Sequence, residues 1–138
     1  MLAVDLTTIL IVEDEADLAA TCQRLLARRG WRVTVAGTRD GGLRALGAGP
    51  LPVLAIVDCR LPDGDGFDVL RAARAAGTPV IIVTGYGSTG LRQHALDDGA
   101  TAFLAKPFAA RDLLDLVRTI AGEPPPPHQT RDGPPPSA

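Results

Sequence analysis

The stretch "TILIVEDE", Thr8 to Glu15, decides the fold. Four apolar residues, Ile9 to Val12, run without polar alternation into three acidic residues, Glu13, Asp14 and Glu15. A short apolar run of this kind indicates a strand that is buried on both faces, as in a parallel sheet. Adjacent carboxylates repel each other unless water or a cation lies between them. The stretch therefore predicts either a solvated loop start or one wall of a cation site.

The same strand signal recurs five times along the chain. The predicted strands are Ile9–Val12, Val33–Val35, Val53–Val57, Val80–Val83 and Ala102–Ala105. Apolar residues at helical spacing follow the first, third and fifth strands, and the first such set is Leu18, Cys22, Leu25 and Leu26. Strands that alternate with helices predict an α/β domain, a parallel sheet with helices on both faces.

Glycines mark where the predicted helices end. Gly30, Gly77 and Gly99 stand where a left-handed residue is favoured after a helix. The second and fourth helices are the weakest predictions. The second contains Gly41 and Gly42, and each costs roughly 1 kcal/mol relative to Ala in a helix. The fourth has a poor apolar face.

Composition and charge restrict the class of protein. A chain of 138 residues, 46% of them hydrophobic, supports one domain with a core. A formal net charge of −2 provides no basic surface for nucleic acid. There is neither a membrane-spanning run of roughly 18–20 apolar residues nor a signal-type N-terminus. Cys22 and Cys59 form no CxxC or Cys/His cluster. We therefore expect a cytoplasmic protein without direct contact to nucleic acid or membrane.

The C-terminal segment has a different composition. Residues 122–138, "GEPPPPHQTRDGPPPSA", are rich in proline and show no apolar periodicity. Such a segment is typical of a disordered or polyproline-like tail. We interpret it as a linker in preference to a ligand for a proline-binding module. The predicted organisation is therefore one folded domain at 1–121 and a tail at 122–138.

Polar residues end four of the five predicted strands. Glu13 and Asp14 follow the first, Asp58 the third, Thr84 the fourth and Lys106 the fifth. Each of them alone fits an ordinary turn, helix cap or solvated charge. In a doubly wound sheet, however, functional groups gather at the carboxyl ends of the strands. Three carboxylates that share this edge favour a bound divalent cation, and Mg²⁺ prefers such oxygen ligands.

Four motifs around these residues resemble the receiver domain of bacterial two-component response regulators. They are "LIVEDE", "AIVDCRLPDGDGFDVL" around Asp58, "IIVTGYG" with Thr84, and "FLAKPF" with Lys106. The resemblance covers about residues 7 to 121 and implies a flavodoxin-like doubly wound (βα)5 fold. The implied sheet has five parallel strands in the order 2-1-3-4-5, with helices on both faces.

The resemblance also implies a role for each site residue. Asp58 is the phosphoacceptor, and a Mg²⁺ ion is held by Glu13, Asp14, Asp58 and the backbone carbonyl of Arg60. Lys106 pairs with the phosphoryl oxygens, Thr84 offers its hydroxyl to one of them, and Phe103 is the aromatic switch residue. The peptide bond between Lys106 and Pro107 is expected to be cis, which only an X–Pro bond makes inexpensive.

Partners follow from the same resemblance. The phosphoryl donor is a histidine kinase or a histidine phosphotransfer protein, and the downstream protein target is unknown. The output surface is the face of helix 4, strand 5 and helix 5, through which a homodimer is also conceivable. The chain is expected to act as a switch and not as an enzyme. Whether it is a stand-alone regulator or part of a longer hybrid kinase or regulator stays open.

Two residues near the site are expected to tune the lifetime of the phosphoryl group. Arg60 lies two residues after Asp58, and Tyr86 lies two after Thr84. In the family, these positions border the attacking water, so bulky side chains there are expected to slow dephosphorylation. Cys59 is interpreted as a small buried apolar residue in preference to a redox sensor. His94 and His128 are expected to be exposed.

Three other functions compete with a phosphorylation-controlled switch. A phosphohydrolase of the haloacid dehalogenase type needs a second Asp two residues after the nucleophile, where this chain has Arg60. A flavin carrier needs a Ser/Thr/Gly phosphate loop after the first strand, where this chain is acidic. A degenerate receiver that works without phosphorylation would lack one of the key residues, whereas all five are present.

Overall fold

The computed structural model describes residues 3–85 and 89–126. Five strands form one parallel sheet: β1 (Val4–Val12), β2 (Arg32–Ala36), β3 (Leu51–Asp58), β4 (Val80–Thr84) and β5 (Ala102–Ala105). The helices are α1 (Ala16–Arg28), α2 (Arg39–Gly47), α3 (Gly66–Ala75), α4 (Thr89–Asp97) and α5 (Ala110–Ala121). The sheet order is β2-β1-β3-β4-β5. The predicted α/β fold and strand order are confirmed.

Alternate residues of the central strands face opposite layers of the core. Leu10 and Val12 of β1 pack with Val69 and Leu70 of α3 on one side of the sheet. Ile9 and Ile11 pack on the other side, with side chains of α1 and α5 that include Cys22, Leu26, Leu113 and Val117. Because both faces of β1 and β3 are buried, the carboxyl-terminal halves of these strands are apolar up to Val12 and Val57. Packing on both faces of the sheet therefore fixes the positions of the carboxyl ends of these strands.

Strand bounds differ from the predictions at the amino-terminal edge. β1 begins at Val4, five residues before the predicted start, and β3 begins at Leu51 and includes Pro52. The register between the two strands shifts between Asp5 and Ile9, so β1 carries a bulge beside Pro52. Proline has no N–H to donate to a ladder, and prolines in sheets are found at strand starts, edges and bulges. Apolar patterning alone misses the start of β1 because Val4 and Leu6 are exposed. It misses the start of β3 because Pro52 interrupts the strand signal.

The two helices with weak sequence signals are short. α2 and α4 have nine residues each. Gly42 in α2 is buried, and a Cβ built there would lie 2.9 Å from a methyl group of Val12. The glycine that weakens the helix signal thus permits α2 to approach β1 closely. Gly30, Gly77 and Gly99, at the ends of α1, α3 and the α4 segment, all have positive φ angles.

The predicted tail falls partly outside the described residues. Residues 122–126 leave the end of α5, and Pro124 lies against Gly30. Residues 127–138, with His128, and residues 86–88, with Tyr86, are outside the described ranges. Within those ranges, no helix is long and apolar enough to span a bilayer.

Candidate active site at the carboxyl edge of the sheet

Parallel pairing brings the acidic residues of β1 and β3 together. Val12 is paired with Val57, so Glu13 and Asp14 follow β1 beside Asp58, the last residue of β3. The amide of Glu13 donates to the carbonyl of Ala36, which fixes the backbone where the acidic stretch begins. One carboxylate oxygen each of Glu13, Asp14 and Asp58 lies within 4.8 Å of the others. Asp14 is exposed, whereas Glu13 and Asp58 are each 6% exposed.

Lys106 stands at the centre of this acidic group. It follows β5, and its amide donates to the carbonyl of Thr84, which ends β4. Its Nζ lies 2.8 Å from both Glu13 Oε1 and Asp58 Oδ2 and 2.9 Å from Glu15 Oε1. Burial alone would lower the pKa of Lys106, but its hydrogen bonds to these three carboxylates outweigh burial and raise it. Lys106 is therefore a permanent cation.

Both oxygens of Asp58 are engaged. Oδ2 accepts from Lys106, and Oδ1 accepts from the backbone N–H of Arg60 at 3.0 Å. These bonds fix the carboxylate plane inside a cleft of about 230 Å³ that also borders Asp14, Thr84 and Gly85. A buried carboxylate held in this way, next to a lysine and open to a cleft, is positioned to react with an incoming electrophile.

The charge at the site suits a divalent cation. Burial raises the pKa of Glu13 to about 7, although the hydrogen bond from Lys106 opposes that increase. One ammonium group therefore does not offset the cost of gathering these carboxylates. Carboxylate oxygens at this spacing are the ligands that Mg²⁺ prefers, together with waters and phosphate oxygens. The residues present fit the predicted ion, and the Arg60 carbonyl as a fourth ligand stays a prediction.

Thr84 and Cys59 form a contact that the sequence did not reveal. Thr84 is buried at the end of β4, and its side chain hydrogen-bonds the thiol of Cys59. Burial raises the pKa of that thiol to about 11, so Cys59 is neutral and the hydrogen bond is between uncharged groups. This protonation state favours a packing role for Cys59 over a redox role.

The other predicted residues surround the site. The Lys106–Pro107 peptide bond is cis. Phe103 on β5 is half-buried and packs against the core layer that includes α3. Arg60 is exposed and pairs through its backbone with Asp65. His94 is exposed, and its ring contacts that of Phe67 edge-on, with 4.6 Å between the ring centres.

Sequence reasoning missed three residues that support the site. Glu15 is the N-cap residue of α1, but its side chain contacts Lys106 and makes no capping hydrogen bond. Asp63, in the turn after Asp58, accepts from the backbone N–H groups of Arg39 and Asp40 at 2.7 and 3.0 Å. Arg39 also bonds Asp68 at 2.8 Å. These contacts link residues that are far apart in sequence, so no local pattern predicts them. The only sequence signal was the run of three acidic residues that includes Glu15.

Comparison with known proteins decides the family. The family model described as "Response regulator receiver domain" matches residues 9–118. The chain belongs to the response regulator receiver domain family. Receiver domains of response regulators act with histidine kinases or phosphotransfer proteins and are not typical enzymes.

Individual relatives agree with this assignment. The receiver domain is 39% identical over 112 residues to the transcriptional regulatory protein DltR of Streptococcus agalactiae, covering 80% of this chain and 50% of DltR. A CheY-like receiver domain protein from Methanospirillum hungatei JF-1 is 32% identical with a TM-score of 0.78, covering 94% of this chain and all of the other. The chain spans about half the length of DltR.

One solved relative bears directly on the metal. The receiver domain of the sensor histidine kinase PA1611 from Pseudomonas aeruginosa PAO1 is 29% identical with a TM-score of 0.75. The comparison covers 85% of this chain and 98% of that one. In that structure a magnesium ion is coordinated in the active-site cleft.

Proposed function

We propose that this chain is a phosphorylation-activated switch in two-component signal transduction. Asp58 accepts a phosphoryl group from the phosphohistidine of a histidine kinase or a histidine phosphotransfer protein. The observation that carries the proposal is the buried Asp58 carboxylate, 2.8 Å from Lys106 and grouped with Glu13 and Asp14. The proposed domain spans residues 1–121, with 122–138 as a tail.

In the proposed transfer, an Asp58 oxygen bonds to phosphorus as the P–N bond to histidine breaks. The imidazole nitrogen keeps the electron pair of that bond. A carboxylate nucleophile carries no proton on the attacking oxygen, so the step needs no general base. Bound by Glu13, Asp14, Asp58 and the Arg60 carbonyl, Mg²⁺ would neutralise charge on the transferring group. Lys106 exchanges carboxylate oxygens for phosphoryl oxygens.

The proposed switch begins at Thr84. Its side chain borders the cleft beside Asp58, where its hydroxyl would turn to bond a phosphoryl oxygen. Phosphorylation adds almost two negative charges and three acceptor oxygens, which supply the driving force for that move. Phe103 then enters the space that Thr84 leaves. The face formed by α4, β5 and α5 carries the change to the protein target and serves a homodimer where one forms.

A neighbouring cleft suits the phosphoryl donor. It has a volume of about 480 Å³, and Leu18, Pro107 and Phe108 line it next to Lys106. Its apolar lining fits an amphipathic helix of a kinase or phosphotransfer protein, laid beside Asp58. The phosphohistidine would then face the carboxylate.

Phosphorylation of the intact chain tests the function. With acetyl phosphate and Mg²⁺, we expect the mass increase of one phosphoryl group in the wild type and in Asp97→Asn, an exposed carboxylate control. Asp58→Asn should remain unmodified. A wild type that stays unmodified with acetyl phosphate and with every phosphorylated kinase of the source genome would overturn the proposal. Phosphoryl label retained by Asp58→Asn would overturn the assignment of Asp58.

Arg60 and Tyr86 are proposed to prolong the phosphorylated state. Arg60 is exposed at the cleft, and Tyr86 lies outside the described residues. If their side chains shield the acyl phosphate from water, Arg60→Ala and Tyr86→Ala should lose the phosphoryl group faster than the wild type. Loss of radiolabel after donor removal measures this, and unchanged rates in both variants would contradict the proposal.

A further inference from the structure

A third cavity lies on the other side of the molecule from Asp58. It has a volume of about 370 Å³ and is formed by the turn between α1 and β2 and by one face of α5. Arg29 and Trp31 precede β2, whereas Asp58 ends β3, and the strands are parallel. The cavity therefore opens towards the amino edge of the sheet. Its volume is within the range of small-molecule sites, about 300–1,000 Å³.

Three guanidinium groups line this cavity. Arg111 and Arg118 lie two turns apart on α5, and Arg29 comes from the turn opposite. Asp115 and Glu123 also line it, so the lining carries three positive and two negative charges. Within residues 3–85 and 89–126, no ion pair engages Arg29 or Arg111. Arg29 and Arg111 thus line the cavity without an ion pair to any described residue, and Asp115 places one negative charge in the same lining.

The third arginine already binds a carboxylate. Glu123 Oε2 lies 2.8 Å from Arg118 Nε, and both side chains are about 70% exposed. Glu123 comes from the segment directly after α5, so the chain places its own anionic group at one end of the cavity. An exposed ion pair of this kind is weak and is readily exchanged for another anion.

Buried apolar side chains border the cavity. Trp31 is 5% exposed and Val117 is 2% exposed, so both side chains are fixed by packing and form a rigid wall for a ligand. Guanidinium groups next to a rigid apolar surface bind carboxylate and phosphate in a bidentate manner with little reorganisation. We propose that this cavity binds a small organic anion with two or more carboxylate or phosphate groups, bridging Arg29 and Arg111 and displacing Glu123 from Arg118.

The charge distribution favours a small anion over a polymeric one. The chain has a net charge of −2, and its carboxyl edge carries Glu13, Asp14, Glu15 and Asp58. A long polyanion would be repelled by that charge, whereas a compact anion interacts with the cavity alone. The proposal does not depend on the phosphorylation function.

The chain provides its own reporter for a binding test. Trp31 is the single tryptophan, and its ring borders the cavity. We would titrate the full chain, without Mg²⁺ and at low salt, with citrate and separately with pyrophosphate. The readout is the indole N–H resonance of Trp31 together with tryptophan fluorescence. A saturable change with citrate alone, pyrophosphate alone or both supports the proposal and identifies the anionic group.

Variants that should change the affinity for the anion in opposite directions make the test specific. Arg29→Gln and Arg111→Gln should each weaken binding by about threefold to tenfold, since each removes one charge-assisted contact. Glu123→Gln should tighten binding because it releases Arg118. Arg92→Gln, on the exposed side of α4, is the matched control and should bind like the wild type.

Three results would overturn the proposal. One is the absence of a saturable Trp31 response to either anion. Another is an equal response in the wild type and in a folded Arg29→Gln/Arg111→Gln double variant, with folding checked by circular dichroism. The last is a response that Lys106→Gln abolishes, because the anion would then bind at the carboxyl edge.

Discussion

At the scale of single residues, Lys106 connects three acidic side chains, and the outermost is the easiest to change. Glu15 is 62% exposed, whereas Glu13 and Asp58 are buried. In the proposed transfer, its carboxylate would compete with the phosphoryl group for Lys106 and would repel an anionic donor. Glu15 would thus favour the unphosphorylated arrangement of the site.

We therefore expect Glu15→Gln to accelerate phosphorylation by acetyl phosphate, by about twofold to fivefold, the scale of one exposed ion pair. The rate is measured at saturating Mg²⁺ by mass spectrometry. Glu123→Gln, an exposed glutamate on the other side of the molecule, is the matched control and should react like the wild type. A slower reaction of Glu15→Gln would show that Glu15 assists Lys106.

Gly66 tolerates no side chain at the start of α3. A Cβ built there would lie 2.0 Å from the carbonyl oxygen of Asp58 and 3.1 Å from Cα of Cys59. Both atoms belong to the backbone, so no side-chain rotation relieves the clash. The amide of Gly66 also donates to the carbonyl of Cys59 at 2.9 Å, which holds this close approach.

Gly66→Ala should consequently lower the free energy of unfolding by about 2–3 kcal/mol or more. Urea denaturation measures the change. Gly90→Ala in α4 is the control, because a Cβ there meets no atom of the described residues within 4 Å. It should leave the free energy of unfolding unchanged or raise it by about 0.5–1 kcal/mol. Equal effects of the two substitutions would refute the argument from close approach.

The residues of the site were predictable where a strand ends in a polar side chain. Glu13, Asp14, Asp58, Thr84 and Lys106 all follow this rule, and the structure brings them to one edge. Glu15 and Asp63 were not predictable, because their partners lie 91 and about 24 positions away in sequence. No local sequence pattern predicts a contact between residues so far apart.

At the scale of elements, the turn after Asp58 is tied to α2. Asp63 accepts from the first amides of α2, which have no partner within the helix, and Arg39 of α2 bonds Asp68 of α3. The hydrogen bond from the amide of Asp40 lowers the pKa of Asp63. A carboxylate with a lowered pKa stabilises the fold above its unfolded pKa, and the effect disappears as pH falls through the folded value.

Replacing Asp63 by Ala should lower the melting temperature at neutral pH by a few degrees, roughly the effect of losing a helix cap. The difference from the wild type should shrink as the pH falls below the ordinary pKa of an aspartate and vanish once the Asp63 carboxyl is protonated in the folded chain. Thermal unfolding followed by circular dichroism measures both. Asp112→Ala, in the first turn of α5, is the control. A pH-independent difference would exclude the carboxylate as its cause.

Element types were readable from the sequence more reliably than element bounds. The apolar residues of β1, β3 and β4 and the buried faces of α1, α3 and α5 were predicted because burial imposes the pattern. The strands β2 and β5 were also predicted, although they are only partly buried. The first residues of β1 were missed because they are half-exposed. The short antiparallel ladder of Arg60–Leu61 with Gly64–Asp65 was missed because two-residue strands leave no periodic signal.

At the scale of the whole molecule, a bound dication would join two neighbouring strands. Its proposed ligands follow β1 or end β3, so only the folded chain presents them together. A ligand that binds the folded state alone stabilises it by mass action, by about 2.7 kcal/mol at a hundredfold excess over the dissociation constant.

Saturating MgCl₂ should therefore raise the melting temperature by several degrees, and chelation by EDTA should reverse the change. Sodium chloride at equal ionic strength controls for screening. Asp58→Asn should lose most of the shift, whereas Asp97→Asn should retain it. An equal shift in both variants would place the ion elsewhere.

The early start of β1 also affects how copies of this chain meet. Its ladder with β2 begins only at Thr8, so within the described residues Val4 to Leu6 have no partner strand on the β2 side, and the side chains of Val4 and Leu6 are exposed there. An unpaired strand edge of this kind can pair with a strand from another molecule, and such pairing is a common origin of aggregation. The charge of Asp5 and the adjacent bulge interrupt it. Neutralising Asp5 would remove a safeguard against self-association in concentrated solution.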